Sequence, residues 1–249
     1  MIDASTLSFH QFHDPRSENN PDFEGNSGPL ELAIDSDGKK YIVKYTYPHT
    51  AANEYTASWL ARKISAPTPT AHLLSPTRDH RLYSVAIEFM DLAPFEKKSV
   101  PNVEDLIAQF ALNALIVQDD IIQLNRVSNR IISYDFAESF CVDNPTMMKL
   151  LYSCTRGEDY AVKQAVSCLR NFSRHLSLMD FDIPGLAAEF GLDAVKQKSG
   201  MISIAKRVLN ITEDELFELE DELEEMYPTE IALYYSECIR IMQKHMKRF

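Results

Sequence analysis

Leu30-Glu31-Leu32-Ala33-Ile34-Asp35-Ser36-Asp37-Gly38-Lys39-Lys40-Tyr41-Ile42-Val43-Lys44-Tyr45 reads as two strands joined by a turn. The first five residues alternate on the two-residue period of a half-buried strand. Asp35-Ser36-Asp37-Gly38 carries turn chemistry, and Lys40 to Tyr45 is the second strand. Upstream, residues 1–28 are polar, broken by Pro15, Pro21, Gly25 and Gly28, and show no period, so they read as a lead-in arm and a loop. Downstream, Ala51 to Ile64 carries Tyr55, Trp59, Leu60 and Ile64 at roughly helical spacing until Pro67 and Pro69 stop it. Trp59, the sole tryptophan, is expected to pack this helix on the sheet. His72-Leu73-Leu74 and the run from Arg81 to Met90 add two strands, which makes the N-terminal part a sheet with one inserted helix.

Pro94 and Pro101 bracket a connection, and beyond it the chain turns helical, with Asn102 as N-cap for Val103 to Val117. The β-branched run from Arg130 to Phe136 interrupts this pattern as a strand of a small hairpin. Helices are predicted over Thr146 to Cys154, Asp159 to Arg174, Ile183 to Phe190, Ala194 to Leu209, Glu213 to Met226 and Thr229 to Lys247, punctuated by Gly191, Gly200 and Pro228. The fold class expected is therefore α+β in two lobes, a small β-rich one over residues 1–93 and a larger helical one over 94–249.

At 249 residues, 45% hydrophobic and 25% charged, the chain can build a substantial core. Its formal charge of −12 disfavours nonspecific phosphate-driven binding, and no direct contact with nucleic acid is expected. Cys141, Cys154, Cys168 and Cys238 form no CxxC pair, so reduced and mostly buried thiols are expected. Met1 to Thr6 lacks a basic region followed by an apolar one, and no segment approaches ~18 uninterrupted apolar residues. A cytoplasmic protein with no membrane span is the expectation. His10 and His13 have no partner ligands nearby, and no histidine accompanies a GxSxG serine, so neither a metal centre there nor a hydrolase triad is supported. The nine carboxylates from Glu213 to Glu225 read as a solvated helix face or as a surface for a basic partner.

Chemistry enters with Lys44 and Glu54, ten residues later on the next helix. A lysine that grips nucleotide phosphates needs a carboxylate from a neighbouring helix to orient its ammonium; the alternative is a surface ion pair. A second group is Asp120, then Asn125 after four intervening residues, then Asp135 at the end of the β-branched strand. Phosphoryl transfer needs such a trio: one aspartate orients the attacking hydroxyl, and an asparagine and a second aspartate take magnesium. The alternative is that Asp120 and Asn125 cap a turn. Gly25, Asn26, Ser27 and Gly28 would present backbone N–H groups to a phosphate or form an ordinary turn.

In this order the chain resembles the HipA-like kinases, and among them the compact members that hold only the kinase domain. The resemblance is carried by Asn26 to Leu30 with Asp37 to Lys44, by Asn53-Glu54-Tyr55 with Ala66-Pro67-Thr68-Pro69, and by Gln118 to Asn125 with Ile132 to Phe140. It covers about residues 23–140 and implies a fold distantly similar to protein and phosphatidylinositol kinases. It further implies ATP and Mg2+ as cofactors, with Lys44 on the phosphates, Glu54 orienting Lys44 and Asp120 catalytic. Asn125 and Asp135 would be metal ligands, and the backbone of Glu88, Phe89 and Met90 would be an adenine-binding hinge. A protein substrate phosphorylated on serine or threonine, autophosphorylation near Ser27 and a separate regulatory partner chain belong to the same implication. Two positions depart from the family pattern: Gln118 stands where an asparagine is usual and Ile121 where an arginine is usual. They keep open a catalytically impaired pseudokinase acting as a binding module, and the helical lobe leaves room for a small-molecule or lipid kinase.

Overall fold

The computed structural model describes residues 1–11, 30–75, 83–95, 102–118, 123–179, 190–191 and 193–248. Gly25, Asn26, Ser27, Gly28, Asp120 and most of the helix predicted over Ile183 to Phe190 lie outside the described residues. Six strands, β1 (Ile2–Asp3), β2 (Ser8–Gln11), β3 (Leu30–Ile34), β4 (Lys40–Thr46), β5 (Ala71–Ser75) and β6 (Tyr83–Glu88), form one sheet in the order β1-β5-β6-β4-β3-β2. Strands β1 and β2 lie at opposite edges, yet only Ala4 to Leu7 separate them, three of these in a 3-10 turn. Five flat strand spacings would span about 24 Å, whereas the five chain steps from Asp3 to Ser8 reach at most about 17 Å. The sheet must therefore curl until its edges approach. Its inner face buries Ala4, Leu7, Ala33, Tyr41, Val43, Tyr45, Leu74 and Ala86 as a core of its own. By alternation, Leu32, Ile42, Lys44, Val85 and Ile87 face the other way. The arm expected over residues 1–28 to lack regular structure thus holds two strands. Each is short, and pairing with a sheet edge defines them where periodicity does not.

Helix α1 (Pro48–Ile64) starts with its proline in the first turn and ends at Ser65 in the left-handed region, φ +61°. It is buried along almost its whole length, which explains why it is built from Ala51, Ala52, Thr56, Ala57, Ser58 and Ala61: small side chains let it lie between the sheet and the helical lobe. Ser58 satisfies its buried hydroxyl by donating to the Pro69 carbonyl (3.2 Å) and accepting from the Ala71 N–H (2.9 Å). Trp59, 4% exposed, joins the larger core with Leu112, Leu115, Tyr234 and Tyr235, and Lys63 Nζ lies 4.9 Å from the centroid of its ring.

Helix α2 (Val103–Leu115) is capped by Asn102, whose Oδ1 accepts from the Glu104 and Asp105 N–H groups. A three-stranded sheet, β7 (Ala93–Pro94), β8 (Gln123–Val127) and β9 (Arg130–Tyr134), lies on this helix. Asp105 grips Arg130 through two bonds (2.7 and 3.0 Å) and takes the Ile131 N–H. Gln109 donates to the carbonyls of Ile131 and Pro67 and accepts from Ser133 Oγ. The remaining helices are α3 (Asn144–Cys154), α4 (Glu158–Leu178), α5 (Ala194–Leu209), α6 (Glu213–Glu224) and α7 (Thr229–Met246). Gly200 lets α5 approach α2, since a Cβ there would sit 2.9 Å from Ile107 Cδ1. The acidic stretch is α6, opened by a capping box of Thr212 and Glu215. Several of its carboxylates find cations within the chain: Glu215 pairs with Lys63 (2.7 Å), and Glu213 and Glu220 pair with Arg240. Of the cysteines only Cys238 is buried, because Cys141, Cys154 and Cys168 lie on partly exposed faces, contrary to the expectation of mostly buried thiols. No helix among the described residues is long and apolar enough to cross a membrane.

Candidate active site

The outward face of β4 delivers Lys44 into the space between the two lobes, where α1 and the end of β9 meet it. Its Nζ lies 2.6 Å from Glu54 Oε1 and 3.0 Å from Asp135 Oδ1. Glu54 is sealed, with 3% of its side chain exposed, Lys44 keeps 12%, and Asp135 keeps 33%. The burial gradient runs from the orienting carboxylate to the open one. Burial pulls the Lys44 ammonium toward deprotonation, but the carboxylates of Glu54 and Asp135 outweigh it and hold its pKa above the ordinary lysine value. Burial raises the pKa of Glu54, against the opposing pull of Lys44 and of the Phe136 N–H. Lys44 is thus a fixed cation, oriented by a carboxylate that has no exit to water.

Asp135 directly follows β9 and adopts φ +69°. Aspartate tolerates this left-handed conformation better than most residues, and it takes the chain out of the strand direction where Asp135 meets Lys44. The Asp135 carbonyl accepts from Gln118 Nε2 at 3.0 Å. Gln118 stands at the exit of α2, where the chain closes in a Schellman motif: the Gln118 N–H reaches the Asn113 carbonyl and the Val117 N–H the Ala114 carbonyl. Val117 occupies the position usually given to glycine, at φ +51°, a strained geometry for a β-branched residue immediately before Gln118.

The segment after Asp135 is held from α1. Asn53, fully buried beside Glu54, donates to the carbonyls of Ala137 (2.6 Å) and Val142 (3.2 Å) and accepts from the Tyr235 hydroxyl (2.6 Å). Phe140 and Cys141, both at positive φ, complete the bend, and the Phe140 N–H donates to the Ile116 carbonyl. His49 Nε2 lies 3.7 Å from Glu138 Oε1; burial lowers the His49 pKa against the pull of Glu138.

Lys44, Glu54 and Asp135 therefore come together. Asn125 does not join them: it lies on β8 opposite Ile132, three residues short of Asp135 and about 10 Å along the hairpin. Glu88 ends β6 with its carboxylate bonded to Lys39 and 3.4 Å from His72 Nε2. The N–H groups of Glu88 and Phe89 donate to the carbonyls of Thr70 and Lys40, both at 2.9 Å. Met90 follows, outside the strand. Sequence reading took Asn53 and Gln118 only as parts of a family pattern, Gln118 also as a departure from it, and gave Tyr235 no role in the site. Adjacency to Glu54 and to Asp120 was the one available signal, because their work is to hold backbone carbonyls that no pattern in the sequence displays.

No protein-family model matches the chain, and no curated protein matches it. Among solved structures it is similar to the crystal structure of a proinflammatory kinase from Helicobacter pylori, CtkA, at 12% identity and a TM-score of 0.52. The similarity spans 99% of this chain and 94% of that one. At such identity the likeness is one of fold. The chain has a two-lobed, kinase-like α+β fold with a curled sheet in its N-terminal lobe and helices in its C-terminal lobe, the class its element order led us to expect.

Proposed function

We propose that the chain is an ATP- and Mg2+-dependent phosphotransferase, a HipA-like kinase acting on serine or threonine of a protein. The observation that carries this reading is Lys44 clamped between buried Glu54 and partly open Asp135 within a kinase-like fold. Lys44 binds the nucleotide phosphates and Glu54 keeps its ammonium in place. Asp120 orients the acceptor hydroxyl, and the loop of Gly25, Asn26, Ser27 and Gly28 covers the phosphates. The base lies on the half-buried shelf of Leu32, Ile42 and Ile87, with the carbonyls of Glu88 to Met90 and the Met90 N–H as its polar partners. Asp135 suits a hard cation: its Oδ1 faces Lys44 and a third of the side chain is exposed. Magnesium held by Asp135 would supply charge neutralisation of the phosphates, and the chain supplies orientation.

A second reading, nucleotide binding without transfer, is favoured by Ile121 in place of an arginine and by the Gln118 amide already engaged by the Asp135 carbonyl. Radiolabelled γ-phosphate separates the two. The proposal expects label on serine or threonine of this chain or of an added protein, absent in Asp120→Ala. ATP binding with no transfer supports the second reading, and label found only in lipid or a small molecule rejects the protein acceptor.

A further inference from the structure

The segment that leaves Asp135 forms one wall of a groove on the helical lobe, and the other wall is α4. The groove holds about 450 Å³ and is lined by Thr146, Ser167, Arg170, Asn171 and Arg174, together with Cys141 and Cys168. Ser167, Arg170, Asn171 and Arg174 fall on one stripe of α4, so hydroxyl, amide and two guanidinium groups converge on the same space. Lys149 of α3 and the Asp143 carboxylate both lie close enough to act on the Cys168 thiol, with opposite signs.

All four side chains of this stripe are exposed, and two features of the stripe bear on a ligand. Like charges four residues apart destabilise a helix, and no carboxylate among the described residues is paired with either arginine. The chain carries twelve more acidic than basic groups, and some of its other cations are neutralised: Arg240 meets three carboxylates, Arg130 meets Asp105 and Lys63 meets Glu215. Arginine forks match the oxygens of a phosphate, and the hydroxyls and amide beside them supply further donors. The adjoining depression, lined by Glu138, Asp143 and His175, is of mixed charge and does not favour an anion.

We infer that this groove binds a phosphorylated side chain of a peptide, so that the preferred acceptor is a protein segment that already carries a phosphate. The peptide part rests on the kinase reading above; the anion site does not. Cys141 is six residues beyond Asp135, at most about 20 Å of chain, so the Cys141 edge of the groove lies within that distance of Asp135. A membrane phosphoinositide is the less suitable ligand, because the net charge of −12 repels an anionic surface and the cations sit in a concavity.

The test is fluorescence anisotropy with a labelled glycine-alanine peptide carrying one phosphoserine, its unphosphorylated twin, inorganic phosphate as competitor, and phosphatidylcholine vesicles containing phosphatidylinositol phosphate. Wild type should bind the phosphopeptide at least tenfold more tightly than the twin, and phosphate should compete. Arg170→Ala/Arg174→Ala should lose that preference while keeping its fold and its ATP affinity, and Arg170→Lys/Arg174→Lys should retain only part of it. Equal affinity for the two peptides, a preference untouched by the double alanine variant, or binding to vesicles alone would overturn the groove. Phosphopeptide binding through these arginines in a protein that binds no ATP would support the groove and overturn the kinase reading. ATP binding without a phosphopeptide preference would overturn the groove alone.

Discussion

Removing the two members of the Lys44–Glu54 pair separately and together should give strongly non-additive losses of stability. Lys44→Met leaves Glu54, 2% exposed, with the Phe136 N–H but no cation, and stranding one partner of a buried pair costs about 3–5 kcal/mol. Glu54→Gln is milder, about 2 kcal/mol, because Lys44 keeps Asp135 as a counter-ion at 3.0 Å and the amide oxygen can still accept a hydrogen bond. The double variant strands no charge at Glu54, so its loss should fall short of the summed singles by about 2 kcal/mol. Asp135→Asn, at a third exposed, should cost under ~1 kcal/mol. Urea unfolding reads all four, with Trp59, the only tryptophan and buried on α1, as an internal probe. Losses for Lys44→Met and Glu54→Gln that add to within ~0.5 kcal/mol would refute the coupled pair and with it the oriented lysine.

Ser65, exposed at φ +61°, should gain about 1 kcal/mol on replacement by glycine, a rise of roughly 2–4 °C in calorimetric Tm; no rise would mean that the left-handed cap carries no strain. Lys63 and the Thr212 backbone hold the Glu215 carboxyl below the ordinary 4.5, a stabilisation present above that pH and lost as pH falls through the lowered value. Unfolding midpoints of Glu215→Gln should therefore decline less than wild type below pH 4.5. Burial lowers the pKa of His49 from 6.5, so stability should fall as pH drops below 6.5 toward its folded value, and His49→Gln should flatten that part of the profile. Asn125→Ala should weaken Mg2+–ATP binding less than Asp135→Ala, as titration calorimetry would show; equal losses would put both side chains on one ion despite the hairpin register.

The hairpin from Leu30 to Tyr45 was legible because turn chemistry and a two-residue period coincide there, and the register bears this out, with Leu30 opposite Lys44 and Ile34 opposite Lys40. The meeting of Lys44, Glu54 and Asp135 was legible only as an order of residue types, since nothing local ties β4 to the end of β9. The curl of the sheet was not legible. It depends on Ile2–Asp3 and Ser8–Gln11 pairing with strands far along the chain, and segments of two and four residues show no pattern until an edge receives them. Helix α1 concealed its burial because a helix enclosed on both sides needs small residues, and alanines with Ser58 and Thr56 produce no apolar stripe. Strand β8 was hidden in a stretch that reads equally well as loop, and it forms because Asp105 and Gln109 of α2 fix β9 beside it.

The central claim is that Lys44, Glu54 and Asp135 form a nucleotide phosphate site. Calorimetric titration with ATP, with and without magnesium, in wild type and Asp135→Ala tests it most directly. Binding that requires magnesium in wild type and disappears in the variant is the predicted result. Absence of binding in wild type, or binding indifferent to magnesium and to Asp135, would contradict it.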